Sequence, residues 1–348
     1  MTDLIEILGS AVAHEASDVI LTAGSPPMYR VHGELLPARS PALAPTDVKK
    51  IVYDALNEHQ VATFEARKEL DFSVTIRDKY RFRCNVFLQR GAVGAAMRRI
   101  ASQIPSLADL LLPPILADFA LSPQGFVIVT GPTGHGKTTT QAAMIDLINA
   151  KRRCHIVTVE DPVEYLHANR LAVIEQREVG EDTLSFADAL KHVLRQNPDV
   201  ILVGEMRDPE SIAAALTAAE TGHLVISTLH TNDSVQAIDR IIDAFPAHHQ
   251  GQVRSQMSLG LLAVVAQRLV PRSDRPGRVA AVEILRNNTA VANLVRDGKT
   301  HQLYGVLETS AKDGMRTMDA ALKDLYLKGL IAFDEARTRM RNPSQLGA

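Results

Sequence analysis

Residues 126–150 read FVIVTGPTGHGKTTTQAAMIDLINA. The apolar run 126–130 predicts a strand. Gly131 to Thr138 follow the spacing of glycine, four residues, glycine, lysine and a hydroxyl residue, and a helical pattern comes next. Glycines let backbone N–H groups wrap phosphate oxygens, and a helix N-terminus adds a favourable dipole. In such a loop the lysine reaches the terminal phosphates and the hydroxyl is a ligand of Mg²⁺. Gly131, Pro132, Thr133, Gly134, His135, Gly136, Lys137, Thr138 and Thr139 are therefore the candidate residues for a nucleoside triphosphate. A strand before and a helix after argue against a chance glycine-rich turn.

Outward from the loop, HIVTVE (155–160), DVILVGE (199–205) and HLVISTLH (223–230) are further short apolar strands separated by amphipathic stretches. Strands apolar on both faces and alternating with helices imply a parallel sheet covered on both sides. Ligands of open α/β sheets bind at the carboxyl edge. Glu160, Asp161 and Glu164 leave that edge after one strand, Glu205, Arg207 and Asp208 after the next, and His230 ends the third. A carboxylate after a strand often only caps a helix or solvates a loop, and a lone histidine is more often structural. As a group, these residues fit the need of phosphoryl transfer for carboxylates that hold a metal and orient water. Beyond residue 244 the pattern is mainly helical, in VRSQMSLGLLAVVAQRLV (253–270), NTAVANLVRDG (288–298) and MRTMDAALKDLYLKG (315–329), with one strand candidate in RVAAVEIL (278–285).

Residues 1–100 alternate helical and strand patterns and predict a small α+β domain. Leu4, Ile5, Leu8 and Val12 have helical spacing, Val19-Ile20-Leu21 is a strand, and Gly24-Ser25-Pro26-Pro27 and His32-Gly33 are turns. Residues 101–115, with three prolines, read as a linker that packs, and 116–348 as the nucleotide-binding domain. Between 67 and 99, nine Lys or Arg face three acids, and Arg81 and Arg83 alternate with Tyr80 and Phe82 so that both leave one face of a strand. That face is either ordinary solvated surface or a source of arginines that stabilise phosphate charge.

The whole chain has 348 residues and a net charge of -2, which does not support a nucleic-acid footprint over its surface. The absence of Trp leaves little for base stacking. Cys84 and Cys154 cannot form a disulfide framework or a four-cysteine zinc site, and a reducing cytosol is expected. No apolar run reaches the roughly 18–20 residues of a membrane span, and the N-terminus lacks a secretion signal.

GPTGHGKTT (131–139), VTVEDPVEY (157–165), ILVGEMRD (201–208) and STLHTN (227–232), in this order, resemble the four boxes of the secretion ATPase superfamily, specifically the type IV pilus retraction ATPases of the PilT group. ASDVILTAGSPPMYRVHGEL (16–35), RFRCNVF (81–87) followed by Arg98, AALTAAETGHLV (214–225) and AVANLVRD (290–297) match as well. The resemblance implies an α/β fold: a RecA-like P-loop NTPase core, preceded by a PAS-like α+β domain and carrying helical C-terminal elements. It implies a homo-hexameric ATPase that uses ATP and Mg²⁺ for pilin disassembly and twitching motility. Its expected partners are an inner-membrane platform protein of the PilC kind and an accessory retraction ATPase. Its expected place is cytoplasmic and peripheral at the membrane's inner face, without insertion and without nucleic acid.

By the same resemblance, Thr138 and Glu205 hold Mg²⁺, Glu164 orients the attacking water, and His230 couples hydrolysis to motion. Arg81, Arg83 and Arg98 act on a neighbouring subunit's nucleotide. Two departures stand out: His135 replaces the usual serine, and Ala292 replaces the first arginine of the helix that keeps Asn293, Leu294 and Arg296. The nearest rival is the PilU accessory group. Assembly ATPases usually carry a longer N-terminal region and a four-cysteine zinc site. A nucleic-acid-translocating ring motor and a non-hydrolysing ATP-binding scaffold are the rivals from other classes.

Overall fold

A computed structural model describes residues 3–31, 33–77, 80–100 and 103–346. His32 of the turn, Asp78 and Lys79 of the basic stretch and residues 101–102 of the linker lie outside the described residues. The chain divides into two compact units, Met1–Gln103 and Ile104–Ala348.

The N-terminal unit is built on six antiparallel strands, β1 (Asp18–Leu21), β2 (Met28–Val31), β3 (Glu34–Pro37), β4 (Glu69–Ile76), β5 (Tyr80–Gln89) and β6 (Ala92–Arg99), ordered β3-β2-β1-β6-β5-β4. Period-2 alternation sorts their side chains. Phe82, Cys84 and Val86 of β5 are buried against Ile7, Leu8, Val48, Val52 and Phe64 of the helices, while Arg83 between them is exposed. Burial pushes the Cys84 thiol up to about 12, so this cysteine is a packing residue and not a nucleophile.

The C-terminal unit carries a seven-stranded sheet of β7 (Gly125–Thr130), β8 (His155–Glu160), β9 (Val173–Glu178), β10 (Val200–Val203), β11 (Leu224–Leu229), β12 (Leu261–Pro271) and β13 (Arg278–Arg286). Its order is β13-β12-β7-β11-β10-β8-β9, parallel except for the antiparallel β12–β13 hairpin. Phe126 and Ile128 of β7 point into one core, with the helices Phe186–Val193, Pro209–Glu220, Ser234–Asp243 and Ala247–Gly260. Val127 points into the other, with Ile115–Ala120 and Lys137–Lys151. Leu107, Leu110, Leu112 and Ile115 also pack in that second core. Successive strands therefore end at one edge, and the loops that leave it bring distant residues together.

Two elements differ from the sequence expectation. The stretch 253–270 does not continue as a helix: the helix ends at Gly260 and Leu261–Pro271 is β12. Leu261 and Ala263 to Ala266 are all buried, apolar on both sides and without the polar positions of a 3.6-residue period, which suits a central strand flanked by β7 and β13. β9, VIEQRE, is an edge strand whose polar composition carries no strand signal; its pairing with β8 creates it.

Glu283 on β13 is buried and joins three elements. It accepts from Ser234 N (2.9 Å), Ser234 Oγ (2.7 Å) and Met318 N (3.3 Å). Burial pushes its carboxyl up, against the pull of these donors. Glu283→Leu strands all three donors and should cost about 3 kcal/mol of unfolding free energy, read as a fall in the denaturant midpoint, whereas Glu283→Gln keeps an acceptor and should cost less.

Candidate active site

The loop 131–136 takes its shape from glycine conformations and from a wall formed by β12 and β13. Gly136 is left-handed, with φ 79°, and caps the helix Lys137–Lys151. Gly131 has φ 145°, and a Cβ there would run into the Gln267 carbonyl oxygen, so any other residue is excluded both by strain and by contact. The buried Gln267 amide donates from Nε2 to His135 O (2.8 Å) and accepts at Oε1 from Thr140 Oγ1 (2.7 Å). Leu269 N donates to His135 Nδ1 at 3.0 Å. Arg278 Nη1 donates to Gly134 O at 3.3 Å. His135 thus fastens the loop through its ring. Burial, then the nearby Arg278 and Lys137, lowers its pKa, which keeps Nδ1 free to accept.

Lys137 is buried, and its ammonium lies 2.8 Å from Gly131 O, 3.1 Å from Pro132 O and 3.4 Å from His230 Nδ1. His230 Nε2 stands 3.1 Å from Glu205 Oε1, and Arg207 Nη2 lies 2.8 Å from Glu205 Oε2. Burial lowers the Lys137 pKa, while Glu205 and Glu164 favour its charge. Burial alone would raise the Glu205 carboxyl, but Arg207 and His230 outweigh it and hold it below its usual range. Thr231 N donates to Thr130 Oγ1 (3.0 Å), which ties the turn after His230 to the strand that feeds the phosphate loop.

These groups share a cavity of about 520 Å³, which Thr138, Asp161, Glu164, Glu205, Arg207 and His230 line. Glu164 is exposed there. Glu160 is buried instead: it accepts from Thr158 Oγ1 (2.7 Å) and Gln176 Nε2 (3.2 Å), and burial pushes its carboxyl up. Its position is that of an anchor at the strand end. Tyr165 OH meets Thr139 Oγ1 at 3.0 Å. Gln141, Gln267 and Arg278 escaped the sequence reading because no local motif marks them. The buried Gln141 Nε2 has no partner among the described residues and lines the cavity, a donor that suits a polar ligand.

The donors suit Mg²⁺ as well. Among the described residues, no cluster of three His, Cys, Asp or Glu could form a protein cage for a metal. A hydroxyl, Thr138, and a carboxylate whose charge Arg207 and His230 favour, Glu205, form a sparse oxygen set of the kind that suits a nucleotide-bound Mg²⁺.

Arg81, Arg83 and Arg98 lie in the N-terminal unit, on the outer face of its sheet. Arg83 and Arg98 are register partners. Arg98 Nε is 2.8 Å from Asp18 Oδ1, and Arg30 is 3.6 Å from the same carboxylate. In the C-terminal unit, Asn293, Leu294 and Arg296 sit on the helix Thr289–Arg296, outside the cavity lining. Arg296 donates to Asn293 Oδ1 at 2.7 Å, and Leu294 packs on the core.

The family model for type II/IV secretion system proteins matches residues 2–335. The chain belongs to this family. It is 44% identical to the type IV pilus retraction ATPase PilT of Pseudomonas aeruginosa, over 98% of this chain and 99% of that protein. It is likewise 44% identical to the type IV pilus ATPase PilU of the same organism, over 95% of this chain and 87% of that one. A crystal structure of the pilus retraction motor PilT with bound ADP superposes with a TM-score of 0.92, at 44% identity and covering 99% of both chains. The chain is accordingly an ATPase of the pilus retraction group.

The loop that carries Glu164 also carries His167, which burial holds down to about 4, with Asp146 opposing and Arg170 adding to the effect. An unfolded chain binds a proton at this imidazole from about pH 6.5 downward, the native chain only near pH 4. Stability contributed by the neutral ring is therefore present above pH 6.5 and is lost as pH falls towards 4, by no more than about 3 kcal/mol. The unfolding midpoint should drop across that window, and His167→Gln should flatten the drop.

Proposed function

We propose that the chain hydrolyses Mg²⁺-ATP in a homo-hexameric ring and uses the energy to drive retraction of a type IV pilus. The observation that carries this reading is the meeting of Lys137, Glu164, Glu205 and His230, from four separate loops, around one cavity at the carboxyl edge of the sheet. Backbone N–H groups of the loop bind the phosphates, and Lys137 exchanges its loop carbonyls for phosphate oxygens. Thr138 and Glu205 would hold Mg²⁺, which when bound neutralises charge on the β- and γ-phosphate oxygens. Glu164 orients the attacking water and accepts its proton. His230, between Lys137 and Glu205, is placed to register the γ-phosphate and pass its loss to the β11 end.

Arg81, Arg83 and Arg98 act in trans, on the nucleotide of a neighbouring subunit. The ring works on an inner-membrane platform protein of the PilC kind, from the cytoplasmic side. Among the described residues no helix is long and apolar enough to cross a membrane, so contact with the membrane runs through that partner. A second reading, an accessory ATPase of the PilU kind, is favoured by the equal identity to PilT and PilU and by Ala292 in the helix outside the site.

The cellular test is a pilus count with surface motility in a strain lacking the gene and in one carrying Lys137→Ala. Abundant pili with lost motility in both are expected. Bald cells would mean extension, and unchanged cells would favour the accessory reading. The arginines are tested by mixing Arg81→Ala with Lys137→Ala subunits: part of the ATPase activity should return in mixed rings, and no recovery at any ratio in intact rings would contradict action in trans.

A further inference from the structure

Parallel neighbours in a sheet are usually joined by a crossover helix. Between β8 and β9 the chain instead runs through residues 161–172 without helix or strand. Its backbone N–H and C=O groups then need partners from elsewhere. Side chains supply them in order along the loop. Val163 N donates to Glu178 Oε2 at 3.0 Å. The Glu164 N–H lies near enough to the Glu160 carboxylate to favour its charge. Gln176 Nε2 donates to Tyr165 O at 2.8 Å, and Gln176 Oε1 accepts from His167 N at 2.9 Å. Asn149, near the end of the helix that begins with Lys137, donates to Ala168 O at 2.8 Å and accepts from Arg170 N at 3.0 Å.

Of these, the Gln176 amide reaches both sides of the stretch that carries Glu164. It spans the two peptides that flank Leu166, beginning one residue beyond Glu164, and it also donates to Glu160 Oε1 at 3.2 Å, at the strand end from which the loop departs. One planar group thus fixes the start of the loop and the residues just beyond its carboxylate. Gln176 does not line the cavity itself, so it can affect chemistry only through that backbone.

We infer that Gln176 is a positioning residue for ATP hydrolysis, its amide setting where the Glu164 carboxylate stands beside the phosphate loop. The inference rests on the reading of Glu164 as the residue that orients water. Misplacing a reacting group by about 1 Å can cost on the order of 100-fold in rate. Gln176→Leu removes both ends of the bracket. Gln176→Glu keeps the shape and the acceptor for His167 N but turns an oxygen towards the Tyr165 carbonyl and the Glu160 carboxylate.

The test measures kcat and ADP affinity on the assembled full-length chain for Gln176→Leu, Gln176→Glu, Glu164→Gln and the double variant Gln176→Leu/Glu164→Gln. Both Gln176 variants should lose about 10- to 100-fold in kcat with ADP affinity within about 2-fold, because the phosphate loop is held by other residues. Added to Glu164→Gln, Gln176→Leu should cause no further loss, since both act through one carboxylate. Should Gln176→Leu fail to fold, the isosteric Gln176→Glu decides. Normal kcat in the Gln176 variants beside an inactive Glu164→Gln would overturn the inference and leave the reading of Glu164 standing. Parallel loss of kcat and ADP affinity, or a full further loss in the double variant, would reduce Gln176 to a general structural role. Normal turnover in Glu164→Gln would overturn the reading of Glu164 itself, and the inference with it.

Discussion

A phosphate loop has to aim its N–H groups at a ligand, so it cannot use them to hold its own shape. In this chain the buried Gln267 resolves that conflict from the neighbouring strand, bonding the His135 carbonyl and the Thr140 hydroxyl with the two ends of one amide. Leu269 and Arg278 add bonds to His135 and Gly134. The β12–β13 hairpin is therefore part of the candidate site, although it contributes no residue to a recognisable phosphate motif. The close approach of Gly131 to Gln267 is the same constraint seen from the other side, and it leaves glycine as the residue that fits.

Charge is arranged around that fixed loop in a short relay. A buried ammonium is costly unless carboxylates are near, and Glu205 and Glu164 are the two that favour Lys137. Glu205 is in turn kept ionised by Arg207 and His230. The contacts run Lys137, His230, Glu205, Arg207 and so cross from the β7 loop to those after β11 and β10. A change at the phosphates has a physical route to three loops of the edge. The fourth, with Glu164, is held differently, by amide side chains acting on an irregular backbone.

What was legible in the sequence was whatever is contiguous. The loop 131–138, the carboxylates after β8 and β10 and the histidine after β11 each sit within a few residues of an apolar run, so strand ends and site residues are read together. The sequence of β12 reads as helix because its apolar run follows one and periodicity cannot separate a short buried strand from a buried helical segment. β9 is polar and exists through its pairing. Gln176 acts across 9 to 16 residues of chain, and Asn149, Gln267 and Arg278 across 19 or more, as in the 132-residue separation of Gln267 from His135, and no spacing rule of a local motif reaches that far. For the arginines, alternation along β5 puts Arg81 and Arg83 on one face, whereas the register that sets Arg98 beside Arg83 comes from the pairing of β5 with β6.

The most direct measurement is a structure of the assembled protein with a non-hydrolysable ATP analogue and Mg²⁺. The account predicts that the Lys137 ammonium leaves the Gly131 and Pro132 carbonyls for the γ-phosphate, with Thr138 and Glu205 on the metal and the Glu164 carboxylate within hydrogen-bond reach of a water in line with the terminal phosphorus. Phosphates bound away from residues 131–139, or a Glu164 carboxylate turned out of the cavity with the analogue in place, would contradict it.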